Sequence, residues 1–340
     1  MNIRKQIIGS VACTLSLFGM ATGSYAGSTA QPGISTGFVT AALPPVGLYN
    51  IVDINWGARG PYNGGPEVDL GVAIPVHLVW STPYELLGGR LFFVDENVWA
   101  QVAVGHGFGT TTANLRGFAL TKLGAGLSWN LGEGFHAAIE EQVFVPVNSQ
   151  VSVNDYWEFS QKVMLGYTAN DWLLNAELVY GMGSNGPLQN VSPVNAAFNQ
   201  PATAGAAWGN LNLTALREFG KWEVGAIGYG STDLSSPYSG YLRQSQFALG
   251  GAVAYKFDQV KVMVKVSRDV YQSNEGGYDT RVWGELVVPL WKPEAPAFTE
   301  GAGEHPASDH APLAEVGGTR SGGQSALFAP LHSRGFMALV

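Results

Sequence analysis

Twelve stretches of period-two patterning, joined by connections that alternate between short and long, constrain this chain more than any other feature. They lie near 47–57, 67–80, 90–104, 117–129, 134–147, 156–168, 172–181, 207–218, 222–230, 244–257, 260–269 and 280–291. Strict alternation over such windows is the signature of strands with one face turned to a different medium from the other. Val68, Leu70, Val72, Ile74, Val76, Leu78 and Trp80 make one apolar face; Val260, Val262, Val264 and Val266 make another, interleaved with Lys261, Met263, Lys265 and Ser267. Many stretches are ten or more residues long, against five or six for an average globular strand, and a tilted strand of about ten residues crosses a bilayer. Connections after even-numbered strands are short: Ser81–Gly89, Asn130–Glu133, Ala169–Asp171, Phe219–Lys221 and Asp258–Gln259. Those after odd-numbered strands are mostly longer, up to Met182–Ala206. Short turns at one end and long loops at the other predict an all-β fold: a transmembrane, antiparallel, up-and-down barrel of about twelve strands over 47–291. Closure also removes the exposed edges that twelve long strands would otherwise present.

Composition narrows the partners. Charged residues are 13% and hydrophobic ones 46%, with 45 glycines and an 11% aromatic share, which is the opposite of a disordered chain. Eighteen Lys+Arg against 26 Asp+Glu leave no basic face for nucleic acid. Beyond residue 26 no run reaches the ~20 apolar residues of a membrane helix. Residues 1–26 read as a secretory signal: Arg4 and Lys5, an apolar run from Ile7 to Ala21, and Ser24-Tyr25-Ala26, with cleavage after Ala26. Cys13 fits a lipoprotein anchor poorly and is the only cysteine, so the exported chain is expected to carry neither a disulfide nor a thiolate site. The expected location is the outer membrane of a Gram-negative bacterium, with outer-membrane lipid and the barrel-assembly machinery as partners. Residues 27–46 are read as a lead-in. Residues 292–340, rich in Gly, Ala, Pro and Ser, are read as a disordered tail.

Trp56, Trp80, Trp129, Trp157, Trp172, Trp222 and Trp291 fall at or near strand ends, where membrane-interface girdles sit. Two acids break the pattern. Glu96 shares a face with Phe92, Val94 and Val98, and Glu141 with Ile139 and Val143; a bulge beside each could turn it inward.

Pro45-Val46-Gly47-Leu48-Tyr49-Asn50, Val79-Trp80-Ser81-Thr82-Pro83-Tyr84-Glu85-Leu86-Leu87-Gly88-Gly89, Lys221-Trp222-Glu223-Val224-Gly225 and Arg281-Val282-Trp283-Gly284-Glu285-Leu286-Val287-Val288-Pro289-Leu290 resemble the meta-pathway phenol-degradation family of outer-membrane proteins. The likeness covers about 45–291 and is looser over 105–150. It implies passage of hydrophobic, often aromatic, compounds across the outer membrane. The chain departs from that pattern in continuing past Trp291, where such proteins normally end.

The inward faces are where solute would pass. The alternation places there Asp69 and His77 on the second strand, and Asp95, Asn97, Trp99 and Gln101 on the third. Glu140 and Gln142 follow on the fifth, Lys162 on the sixth, Glu177 on the seventh, and Lys265, Arg281, Trp283 and Glu285 on the last two. Acids and bases at such positions pair across the lumen and fill it. Trp99 and Trp283 are expected to stack aromatic solutes. No catalytic constellation stands out: His77 and His136 alternate inward, with no nucleophile motif nearby. Gly105-His106-Gly107-Phe108-Gly109 precedes no helix and reads as a loop, not a phosphate cradle. His305 and His310 with Glu304 and Asp309 sit at five-residue spacing in the tail, poor geometry for a metal. No cofactor or metal is implied. Two readings lead, a passive conduit for small hydrophobic solutes through a narrow lumen and a non-conducting barrel acting through its external loops; an enzyme embedded in the same fold comes third.

Overall fold

The computed structural model describes residues 28–60, 67–106, 110–152, 156–183, 206–236 and 242–293. Twelve strands run in chain order: β1 (Gly47–Arg59), β2 (Val68–Leu86), β3 (Gly89–His106), β4 (Thr110–Gly132), β5 (Phe135–Val145) and β6 (Glu158–Ala169). Then come β7 (Trp172–Gly183), β8 (Trp208–Phe219), β9 (Trp222–Asp233), β10 (Ser245–Phe257), β11 (Val260–Ser273) and β12 (Asp279–Trp291). Each pairs antiparallel with its sequence neighbours, and β1 pairs with β12 to close the barrel. No helix among the described residues is long and apolar enough to cross a membrane, which says nothing of strands.

The short connections are tighter than expected. Between β2 and β3 only Leu87 and Gly88 remain, both at positive φ (53° and 75°), and Asn170-Asp171 turns at 54° and 61° between β6 and β7. Such left-handed pairs match the twist of the strands they join. The expected turn from Ser81 is therefore largely strand: β2 runs on to Leu86 because Ser81 pairs with Phe92 and Glu85 with Arg90.

Two irregularities re-aim side chains. In β2 the pairing with both neighbours slips around Pro75, a residue with no amide hydrogen to give the ladder. Val72 and Ile74 are buried on the lumen side, whereas beyond the slip Val76 and Trp80 are exposed and Val79 is buried. The continuous apolar face expected from Val68 to Trp80 is thus split between lumen and lipid. A second slip sits between Val98 and Trp99 where β3 meets β4.

The largest departure is residues 28–46, which are no lead-in outside the wall. They descend through the lumen. At the long-loop end Asn210 of β8 donates to Ser28 Oγ (2.8 Å), and Thr29 donates to Glu158 of β6. Midway, Gly33 N donates to Asn212 Oδ1 (2.8 Å) and Gly37 N to Thr214 Oγ1 (2.9 Å). At the short-turn end the Pro44 carbonyl accepts from Ser81 Oγ and Arg90, both at 3.0 Å, and Gly47 then opens β1. Phe38, Val39, Ala41 and Ala42 form one buried cluster with Tyr49, Phe92, Val94, Met164, Leu216 and Met263 from the surrounding wall. The core of this barrel is built around its own N-terminal segment. Residues 1–26 with Ala26, most of the Met182–Ala206 connection, Gly107–Gly109, Glu304, His305, Asp309 and His310 lie outside the described residues.

Candidate functional site

The lumen is the candidate site, and its charged side chains form linked groups. Lys122 on β4 meets Glu96 on β3 at 2.7 Å, and His77 Nδ1 on β2 lies 3.8 Å from the same oxygen. Lys162 on β6 stands between Glu140 on β5 (3.3 Å) and Glu177 on β7 (3.6 Å). Gln142 donates to Glu140 (2.7 Å), and Ser160 to Gln142 (2.8 Å). Lys265 on β11 contacts Glu285 on β12 at 2.5 Å. Arg281 bridges Asp279 (2.8 Å) and Asn55 (2.6 Å). Direct pairing across neighbouring strands sets two of them, Glu96 with Lys122 and Glu140 with Lys162. Lys265 pairs with Trp283 and Glu285 with Met263, so that contact is diagonal, and Asp279 and Arg281 alternate on β12 itself. Burial makes these contacts obligatory, since removing one partner leaves an uncompensated charge.

The same groups hold the inner segment. Lys265 Nζ donates to the carbonyls of Gly33 (3.2 Å), Ile34 (3.3 Å) and Thr36 (2.9 Å), so one ammonium caps a whole turn. Ser35 donates to Glu177 (2.7 Å), and Asn175 to Thr40 (3.0 Å). Contact is close enough to require glycine. At Gly33 (φ 85°) a Cβ would lie 2.6 Å from the Tyr229 ring, and at Gly37 (φ 91°) 2.4 Å from Met263 Sδ.

Nine of the residues expected inside are there: His77, Glu140, Gln142, Lys162, Glu177, Lys265, Arg281, Trp283 and Glu285, on the faces described above. Trp283 is buried, with Lys265 Nζ 4.5 Å from its ring centroid and Tyr229 edge-on at 6.3 Å. Ile34 of the inner segment packs against this pair.

Four are not. Asp95, Asn97, Trp99 and Gln101 lie on the outer face of β3; Trp99 is 51% exposed and packs edge-on against Phe118 at 5.5 Å. The inward face of β3 carries instead Phe92 and Val94, which pack on the apolar residues of the inner segment, and Glu96, which pairs with Lys122. Glu96 therefore needs no bulge to turn inward. Glu141 stays exposed on the outer face with no bulge beside it. Asp69, although buried, alternates with Ala73 and Trp99, not with Val72 and Ile74. Trp56, Trp129, Trp172, Trp222 and Trp291 lie on the outer face within three residues of a strand end, and Trp157 just precedes β6. Trp80, also on the outer face, lies six residues inside β2 because that strand runs on to Leu86.

Residues 28–46 themselves were missed, with Glu158, Asn212, Thr214 and Tyr229. One signal was present: between Lys5 and Asp53 the sequence has no Asp, Glu, Lys or Arg, and 28–46 are mostly small residues. An uncharged, small-residue stretch suits a crowded lumen as well as it suits a linker.

A family model for the MetA-pathway of phenol degradation matches residues 55–284. The chain belongs to this family. Among solved structures it is similar to an outer membrane channel from Pseudomonas putida F1 (11% identity, TM-score 0.58, 75% of this chain and all of that one). More distant are the translocator domain of the autotransporter NalP from Neisseria meningitidis (12% identity, TM-score 0.42, 84% and 96%) and the NanC porin (8%, 0.41, 70% and 100%). No curated protein matches the sequence. The family member is thus a closed outer-membrane barrel of twelve antiparallel strands with a channel-type fold. Short turns in such barrels face the periplasm, so the inner segment runs from the external side down to the periplasmic one.

Proposed function

We propose that this barrel mediates passive uptake of small hydrophobic, in particular aromatic, compounds, and that residues 28–46 are the gate on their route. The observation that carries this reading is how the segment is held. It is bound by hydrogen bonds donated by Lys265 and Ser81 and accepted by Glu177, Asn212 and Thr214, and joins no strand ladder. Around it lie apolar clusters in which a solute can replace Phe38 or Val39, and Trp283 with Tyr229 in place of Ile34. Exchange of segment for solute conserves apolar contact and needs only the solute's own gradient. Trp283, not Trp99, is the aromatic face that such a solute would meet. The reading involves no covalent chemistry and no cofactor. Export through a signal removed after Ala26 belongs to the same proposal.

A filled lumen also favours a second reading, a non-conducting barrel that acts through its external loops. Planar-bilayer recording of the refolded mature protein separates them. The gate reading expects rare or small steps from the full chain, larger steps after deletion of 28–44, and block of those steps by an added aromatic solute that Trp283→Ala weakens. A deletion variant that keeps heat-modifiable gel mobility yet shows neither steps nor solute flux in liposomes would establish the non-conducting barrel.

A further inference from the structure

A patch on the barrel's outer wall obeys the wrong solvent. Asp95 and Asn97 on β3, Thr121 on β4, Glu141 on β5 and Gln161 on β6 all point away from the lumen. Asp95 and Asn97 are six and eight residues from Gly89, Glu141 six from Phe135, and Gln161 eight from Ala169. At ~3.3 Å per residue and a tilt of ~40°, that is roughly 15–20 Å above the periplasmic turns, inside an apolar band about 25 Å tall. Aromatics bracket the patch, with Trp80 and Phe93 below (5.6 Å apart) and Trp99 and Phe118 above.

Within one molecule the patch is half satisfied. Asn97 Nδ2 donates to Asp95 Oδ1 (3.0 Å) and Thr121 Oγ1 to Asn97 Oδ1 (3.2 Å). Among the described residues Glu141 and Gln161 make no side-chain hydrogen bond, and nothing basic lies on this face at that depth. Lipid tails can satisfy none of these groups, and an unpartnered polar group in hydrocarbon is destabilising by several kcal/mol.

We infer that this wall, centred on β4 and β5, is the contact face between two copies of the chain. The chemistry favours a second copy because the patch carries both halves of each hydrogen bond. With both copies upright in one membrane, a two-fold axis through the contact sets β3 against the partner's β6 and β4 against its β5. Thr121 then lies opposite the strand that carries the carboxylate Glu141 of the partner subunit, and Asp95 and Asn97 opposite the strand that carries the amide Gln161 of the partner subunit. The exposed Leu123 and Ile139 and the bracketing aromatics supply apolar contact around this polar centre. The inference stands whether or not the barrel conducts.

Cys13 is the only cysteine in the sequence, so single-cysteine probes have a clean background once the signal is removed. Ala125→Cys, beside Glu141, should give a cross-linked product of twice the chain mass with a short bismaleimide in native outer membranes. Val264→Cys, on β11, should give none. Adding Glu141→Leu to Ala125→Cys should cut the product about tenfold, the change expected when one favourable polar contact is lost, with heat-modifiable mobility unchanged; Gln161→Leu serves if that variant fails to fold. Monomer at Ala125→Cys, equal product at both positions, product unaffected by either leucine variant, or product of a mass other than twice the chain would overturn the inference; the last would mean a different protein occupies the face.

Discussion

The two flanks of this barrel turn opposite surfaces to the membrane. Across β7 to β12 the outward residues at mid-depth are apolar, as with Leu178, Leu211, Val253, Val264 and Leu286, and their inward neighbours are Glu177, Asn212 and Lys265. On β3 the order reverses, with Phe92 and Val94 inside and Asp95 and Asn97 outside. The difference teaches what the lumen is. A water-filled lumen demands polar inward faces, but a lumen packed with protein accepts apolar ones. Phe92 and Val94 join the cluster built on Phe38, Val39 and Ala41 of the inner segment. Hydrophobic alternation therefore marks the lipid side only where the interior is wet or ion-paired.

Adjacent residues on β3 give the hardest test of that contrast. Glu96→Leu strands Lys122 in the lumen and should destabilise the fold by about 3–5 kcal/mol, whereas Asp95→Leu removes a polar group from the lipid face and should leave a monomeric barrel at least as stable. Urea titration of both variants in vesicles measures this; similar losses would mean that the faces are not as described. Of intermediate size, Gly33→Ala should destabilise by about 1–2 kcal/mol, since φ is 85° and the added carbon meets the Tyr229 ring. The loss should fall on the inner segment, so macroscopic conductance rises while heat-modifiable mobility persists. Unchanged conductance would show that the segment is not seated by this contact.

A third effect lies at the external turn between β11 and β12. Burial pushes the Glu275 carboxyl up to about 8, helped by Asp269, Asp233 and Asp279 and opposed by Arg59, which it meets at 3.3 Å. From its ordinary value of 4.5 up to about 8 the unfolded chain has released this proton and the folded chain has kept it, so stability should fall as pH rises across that window. Glu275→Gln should flatten the slope between pH 5 and 8. An equal slope in the variant would assign the dependence to other groups. This corner joins β11 to β12, far from the polar flank, so the substitution should leave the β3–β6 contrast untouched.

Much of the architecture was legible. Alternation in Trp172–Tyr180 and Val260–Ser267, the short turns at Asn170-Asp171 and Asp258-Gln259, and tryptophans at strand ends are local patterns, and a barrel of antiparallel neighbours is assembled from local pairings. The lumenal lysines and acids of β5 to β7, β11 and β12 were legible for the same reason. Asp95, Asn97, Trp99 and Gln101 were read the wrong way because a strand with polar and apolar residues on both faces has no intrinsic inside. Register with β2 and β4, displaced by the slips at Pro75 and Val98, chose the inside for it.

By itself, then, the sequence determined strand number, the alternation of short turns with long loops and closure into an outer-membrane barrel, since each rests on period and spacing along the chain; the family followed from the resemblance of its strand-end motifs. Only the tertiary structure decided that residues 28–46 fill the lumen, that Lys265 and Glu177 hold them, and which face of β3 meets lipid. Those outcomes depend on hydrogen bonds such as Gly33 to Asn212, between residues 179 positions apart. No periodicity records such a contact, because it exists only once the barrel has closed around its own beginning.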